Sequence, residues 1–123
     1  MATTVSTQVN PVATKLVVDS DADSTASNNT TGASGNIYMV EIDNNGSGTP
    51  TDVYFKMANA STATSGTTTP DLVLLVPADT KLTYAFPTAI AFGTGFCHWC
   101  VKEAATTGTT NPDTAVIVRY LTS

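Results

Sequence analysis

Residues 95–100, Gly-Phe-Cys-His-Trp-Cys, hold both cysteines, the only histidine and the only tryptophan of the chain. Two thiols three residues apart with an imidazole between them suit zinc or thiol redox chemistry when the segment forms a turn or a helix N-terminus. The flanking residues dictate a strand instead. Phe96, Trp99 and Val101 are strand formers, and along a strand successive side chains point to opposite faces. Cys97, Trp99 and Val101 then share one face, and Phe96, His98 and Cys100 share the other. The two cysteine Cα atoms lie about 10 Å apart at the usual strand rise, whereas a disulfide wants less than about 7 Å. A structural zinc needs four protein ligands, and there is no second histidine or second cysteine pair. Only a site shared between subunits around a symmetry axis would complete the set. The residues read as small buried thiols and a core or interface aromatic.

A second constellation is Asp19, Asp21 and Asp23 in Asp-Ser-Asp-Ala-Asp-Ser, at the spacing of a calcium loop. Ser24 stands where the turn glycine belongs and Thr30 where the bidentate glutamate belongs, so a solvated acidic loop is expected. Hydrolysis by a triad needs a nucleophile, a base and an orienting group. One histidine on a strand, without a Gly-x-Ser-x-Gly turn, does not supply them. Most of the acidic residues sit at strand ends or in loops, where Asp is an ordinary turn former. No glycine-rich phosphate loop precedes a helix. The chain is therefore expected not to be an enzyme, and no catalytic, cofactor-binding or metal-ligating residue is assigned.

Charge narrows the partners. The net charge is −5, and Lys15, Lys56, Lys81, Lys102 and Arg119 are scattered. Displacing counterions from a nucleic acid requires a basic patch, which this distribution does not provide. No apolar run approaches the roughly 18 residues of a membrane span. The N-terminal residues lack the charged and apolar regions of a secretory signal. Synthesis in a reducing cytosol is expected, with free thiols and no use for the Asn-x-Ser/Thr matches at Asn28, Asn29 and Asn59.

The elements that must position these residues are β-strands. Charged residues make up 12% of the chain, about half the usual share, and Thr, Ser, Ala, Asn and Gly take their place. Apolar stretches recur between Gly/Pro/Asn/Thr breaks, predicting strands at 14–19, 36–43, 52–58, 71–76, 80–86, 89–92, 95–103 and 114–121. Residues 20–35 read as a long polar loop. Eight short strands predict an antiparallel β-sandwich or small barrel. The expected organisation is one domain over 14–123, preceded by a polar arm over 1–13 that is either disordered or ordered on a neighbouring subunit.

Two segments carry a resemblance. Residues 52–79, Asp-Val-Tyr-Phe-Lys-Met through Gly-Thr-Thr-Thr-Pro to Val-Pro-Ala-Asp, resemble a stretch of small virion proteins of tailed bacteriophages. Residues 86–121, from Phe-Pro-Thr-Ala-Ile through Gly-Thr-Gly-Phe to a terminal strand ending in Tyr-Leu, resemble its continuation. The likeness departs at Ala89, where a Gly is expected, and at Cys-His-Trp-Cys, which replaces a plainer aliphatic strand. The resemblance implies an eight-stranded jelly roll serving as a capsid decoration, or cement, protein. Its expected partner is the major capsid protein, its expected state a homotrimer, and its expected location the capsid exterior. The alternative is a head or tail fibre module that recognises host glycans, with Tyr38, Tyr54, Tyr84, Trp99 and Tyr120 as candidate platform aromatics; the usual role of aromatics inside strands is core packing.

Overall fold

The structure is a computed structural model and describes residues 2–7 and 13–123. It is all-β, with strands β1 (Thr3–Thr7), β2 (Lys15–Asp19), β3 (Gly35–Asn44), β4 (Val53–Asn59), β5 (Leu72–Val76), β6 (Thr80–Phe92), β7 (Phe96–Val101) and β8 (Ile117–Thr122). They form a five-stranded sheet in the order β1-β2-β8-β3-β6 and a three-stranded sheet in the order β5-β4-β7. Every pairing is antiparallel. Alternation explains the packing of the two layers. Val17, Ile37, Val40, Ile42, Val118 and Tyr120 of the larger sheet face Val53, Phe55, Met57, Leu74, Val76, Phe96 and Cys100 of the smaller one in a single core. This is the expected sandwich rather than a barrel.

The expected strand boundaries hold to within one to three residues, with two differences. Residues 80–86 and 89–92 are one strand, β6, rather than two. Its pairing with β3 runs from Thr80 to Ala85 and resumes at Ile90, with a register shift opposite Ile37 and Met39. Pro87 lies in this interruption, on an edge strand, where a residue without an N–H is tolerated.

The second difference concerns the arm. Residues 3–7 form β1, each paired with β2 of the same chain, from Thr3 opposite Asp19 to Thr7 opposite Lys15. Four of these five residues are β-branched, which suits an exposed edge strand. The expectation that this part of the arm is disordered or orders on a neighbour is corrected; residues 1 and 8–12 lie outside the described residues.

Residues 20–35 are irregular, as expected, yet they cover the edge of β7. Ser27 forms an antiparallel bridge with His98, through Ser27 N–H to His98 O at 2.9 Å and His98 N–H to Ser27 O at 3.0 Å. Cys100 N–H donates to Asp23 O at 2.9 Å, and Thr30 N–H to Phe96 O at 3.0 Å. An open edge would otherwise present unpaired backbone groups.

The corner from β5 to β6 places Asp79 at φ 57°, in the left-handed region that L-residues adopt at a cost of about 1 kcal/mol. Asp79→Gly is expected to raise the unfolding free energy by about 0.5–1 kcal/mol, read as a later urea midpoint with an unchanged slope. An unchanged or earlier midpoint would show that the Asp side chain offsets the strain.

Candidate functional site

The chemistry-bearing residues converge inside the sandwich. His98 points from β7 into the inter-sheet core and is 0% exposed. Its Nε2–H donates to Asp19 Oδ2 at 2.7 Å, and its Nδ1 lies 3.0 Å from the Tyr120 hydroxyl. That hydroxyl is 2.7 Å from Thr30 Oγ1. The result is a chain Asp19–His98–Tyr120–Thr30 linking β2, β7, β8 and the 23–30 segment. Asp19 Oδ1 also accepts the N–H groups of Asp21 at 3.1 Å and Ala2 at 3.4 Å. Aromatic neighbours enclose the imidazole, with Phe55 at 5.7 Å and Tyr120 at 5.4 Å between ring centres, the latter edge-on.

Burial on its own pushes the Asp19 carboxyl upward. The hydrogen bond and charge of His98, with the two backbone donors, outweigh it and hold the carboxyl below its ordinary value. An ionised carboxylate only accepts hydrogen bonds, which fixes the imidazole proton facing it on Nε2. Burial pushes the Tyr120 hydroxyl well up, against the Thr30 hydrogen bond that lowers it.

An Asp–His pair is the orienting half of a hydrolytic triad. Here the group beyond the imidazole is a tyrosine hydroxyl, and Asp19, His98 and Tyr120 are each no more than 1% exposed. The arrangement joins both sheets and the 23–30 segment through hydrogen bonds in a low-dielectric interior, where such bonds are strongest when every member is satisfied.

The outer face of the small sheet carries the other alternate set. Cys97, Trp99 and Val101 form a second cluster with Ala58 and Ala63, with Ala26 and Ala60 packed against it. Lys56, opposite Trp99 in the ladder, is also buried, and its Nζ donates to Ala105 O at 2.7 Å. Burial lowers its pKa, while the Glu103 charge acts in the opposite direction. The facial split expected for Cys97 and Cys100 is observed. The two thiols are free and lie in different clusters.

Burial pushes the Cys100 thiol up to about 12 and raises that of Cys97. Since the thiolate is the reactive form, neither is expected to react with a thiol reagent in the folded protein near neutral pH. Both should react in denaturant. Rapid native labelling of either would contradict this placement.

The Asp19, Asp21, Asp23 series is divided by the fold. Asp19 turns inward, whereas Asp21 and Asp23 border a shallow depression of about 280 Å³ also lined by Asn111, Pro112, Asp113 and Thr114. Three of its polar side chains already have protein partners. Asp23 Oδ1 accepts Thr25 N–H at 2.8 Å, and Asn111 Oδ1 accepts Ser24 N–H at 2.9 Å. Asp113 Oδ2 accepts Lys102 Nζ at 2.9 Å and Thr51 Oγ1 at 3.1 Å. Among the described residues, no three His, Cys, Asp or Glu side chains are placed to hold a metal.

Two of the five candidate platform aromatics, Trp99 and Tyr120, are buried. Tyr38, Tyr54 and Tyr84 are half-buried on three different strands, and the Tyr84 hydroxyl donates to Leu75 O at 2.6 Å. Asp19 was legible as a calcium-loop position but not as the partner of His98. The two are 79 residues apart, and only the way the sheets stack brings them together.

The fold and its interior define the class as an all-β sandwich with a buried polar chain between its sheets. Comparison with known protein families, curated proteins and solved structures finds no match for this chain. Among the described residues, no helix is long and apolar enough to cross a membrane.

Proposed function

We propose that the chain is a structural protein of a tailed-phage virion, a decoration protein that binds the outside of the capsid and stabilises it. The observation that supports this reading most is the placement of the reactive side chains. His98, Asp19, Tyr120, Lys56, Cys97 and Cys100 are all buried, so the surface offered to a partner is made of Thr, Ser and Asn side chains, strand edges and a few apolar residues such as Val5, Val73 and Leu75. Such a surface binds by many modest contacts, which become strong when copies are linked and engage a repeating lattice together.

The strand order supports the jelly-roll part of the reading. With the 23–30 segment counted as a strand on the edge of β7, one layer runs β2-β8-β3-β6 and the other 23–30, β7, β4, β5, with β1 added at one margin. That arrangement, together with the resemblance of residues 52–79 and 86–121, motivates the capsid assignment. The proposed partner is the major capsid protein, and the proposed state is a homotrimer, which suits shell positions of threefold symmetry.

Particles assembled with and without the protein should differ in the temperature at which they release their genome. Decorated particles are expected to withstand the higher temperature, and adding purified protein to bare particles should restore it. Equal release temperatures, with the protein demonstrably bound, would remove the stabilising role.

A further inference from the structure

The two outer faces of the sandwich differ. On the outer face of the small sheet β4 and β7 are covered by the chain itself, with Ala60 and Ala63 packed on the Trp99 cluster and Ala105 over Lys56, while Val73 and Leu75 of the edge strand β5 stay exposed. On the large sheet, register places Leu16, Leu121 and Met39 in one row across β2, β8 and β3. Val18 lies in the next row on this face, beside Arg119, and Ile117 in the row after that. All five are half-buried and belong to neither hydrophobic cluster. Their inward neighbours, Val17, Val40, Val118 and Tyr120, fill the core.

Strands with one face in water normally read polar on that face, while apolar residues on both faces mark strands covered on both sides. β2 and β8 have the second pattern, but the two described layers cover only one side of them. Charge distribution selects the occupant. Four charged residues lie on this face, and they cancel: Arg119 Nη1 is 3.1 Å and Lys81 Nζ 3.8 Å from Glu41 Oε1, with Asp43 opposite Lys81 in the ladder. The whole net charge of −5 therefore resides elsewhere. Two copies approaching through their remaining surface bring net negative charge together, whereas through this face they meet without net repulsion. An apolar patch of zero net charge in an acidic chain suits burial against other copies of the chain around a symmetry axis, not against a nucleic acid or an acidic partner.

We infer that the outer face of the β1-β2-β8-β3-β6 sheet, centred on Leu16, Leu121 and Met39, is the surface through which copies of this chain associate. This deepens the oligomeric part of the proposed function, and rests on it. Association buries the apolar row and leaves the Arg119, Glu41 and Lys81 side chains, each partly exposed, as a polar rim.

Sedimentation velocity of the full chain tests this at several concentrations, with Leu121→Lys and Glu41→Lys as interface variants and Val73→Lys on β5 as control. Val73 is 41% exposed on the other sheet. Glu41→Lys alters a partly exposed charge without touching the core, so it stays informative if Leu121→Lys fails to fold; far-UV circular dichroism and Trp99 emission establish folding. The expected result is an oligomeric parent, at least tenfold weaker association in both interface variants, and an unchanged control. Parent-like association of a folded interface variant would overturn the surface while leaving the oligomer in place. Dissociation by Val73→Lys alone would do the same. A monomeric parent would overturn the inference and the homotrimer together, leaving the capsid role to be decided by the protein's copy number in particles.

Discussion

His98→Ala is expected to lower the unfolding free energy by about 3–5 kcal/mol, the usual consequence of leaving a buried charge without its partner. The imidazole bridges the Asp19 carboxylate at 2.7 Å and the Tyr120 hydroxyl at 3.0 Å. Its loss leaves Asp19 Oδ2 without its imidazole partner and the Tyr120 hydroxyl with Thr30 alone, inside a core that excludes water. Against a total stability of about 5–15 kcal/mol for an ordinary domain, that is a large fraction. The measurement is the urea midpoint and slope of the variant against the parent. A double variant with Asp19 and His98 both replaced by leucine should recover much of the loss, because it removes the stranded charge as well. A His98→Ala cost under about 1 kcal/mol would show that the pair contributes little beyond an ordinary hydrogen bond.

The same pair gives stability an acid limb. The Asp19 carboxyl is held below its ordinary value in the folded chain. Its contribution is therefore complete above the unfolded carboxylate pKa of about 3.9. It is lost as pH falls through the lower folded value, because the unfolded chain takes up the proton first. Unfolding free energy should fall below about pH 4, and the part of that slope owed to Asp19 should shrink in His98→Ala. An identical acid slope in parent and variant would place the linkage on other carboxylates.

Trp99→Ala is the second large effect, expected at about 3–5 kcal/mol for an aromatic truncated in a packed site. Trp99 neighbours His98 in sequence but faces the opposite way, into the outer cluster of Cys97, Val101, Ala58 and Ala63. Its indole Nε1–H has no hydrogen-bond partner among the described residues. Trp99→Phe should therefore cost less than half as much as alanine, since it removes an unpaired buried donor along with some contact area. As the only tryptophan, Trp99 also reports its own burial. Emission of the folded parent should be blue-shifted and resistant to iodide, and should shift red on unfolding. Equal losses for the Phe and Ala variants would mean that the indole N–H is satisfied after all.

How much of this was legible depends on whether the signal is local. The alternation in Phe-Cys-His-Trp-Cys-Val suffices to place Cys97 with Trp99 and His98 with Cys100, because a strand's facing depends only on its own backbone. It cannot say that His98 faces Asp19, which requires β7 to stack over β2. In sequence Thr3–Thr7 reads as part of a polar arm, because its single apolar residue, Val5, gives no alternating pattern. What makes it a strand is the vacant edge of β2, a tertiary feature. Pro87 divided β6 on paper because proline interrupts a ladder, whereas an edge strand accommodates the interruption as a register shift. The 20–35 segment is legible as loop, but its bridge to β7 depends on Ser27 lying along the open edge of that strand beside His98. The apolar outward positions of β2 and β8 were visible in the sequence. Their meaning depends on knowing that nothing among the described residues packs over them.

The most direct test of the virion assignment is the number of copies of this chain in purified particles, counted by quantitative mass spectrometry against the major shell protein. A decoration role predicts a count comparable to that of the shell subunit, hundreds per particle. A handful would move the protein to a head or tail fibre, and its absence from particles would contradict the virion reading outright.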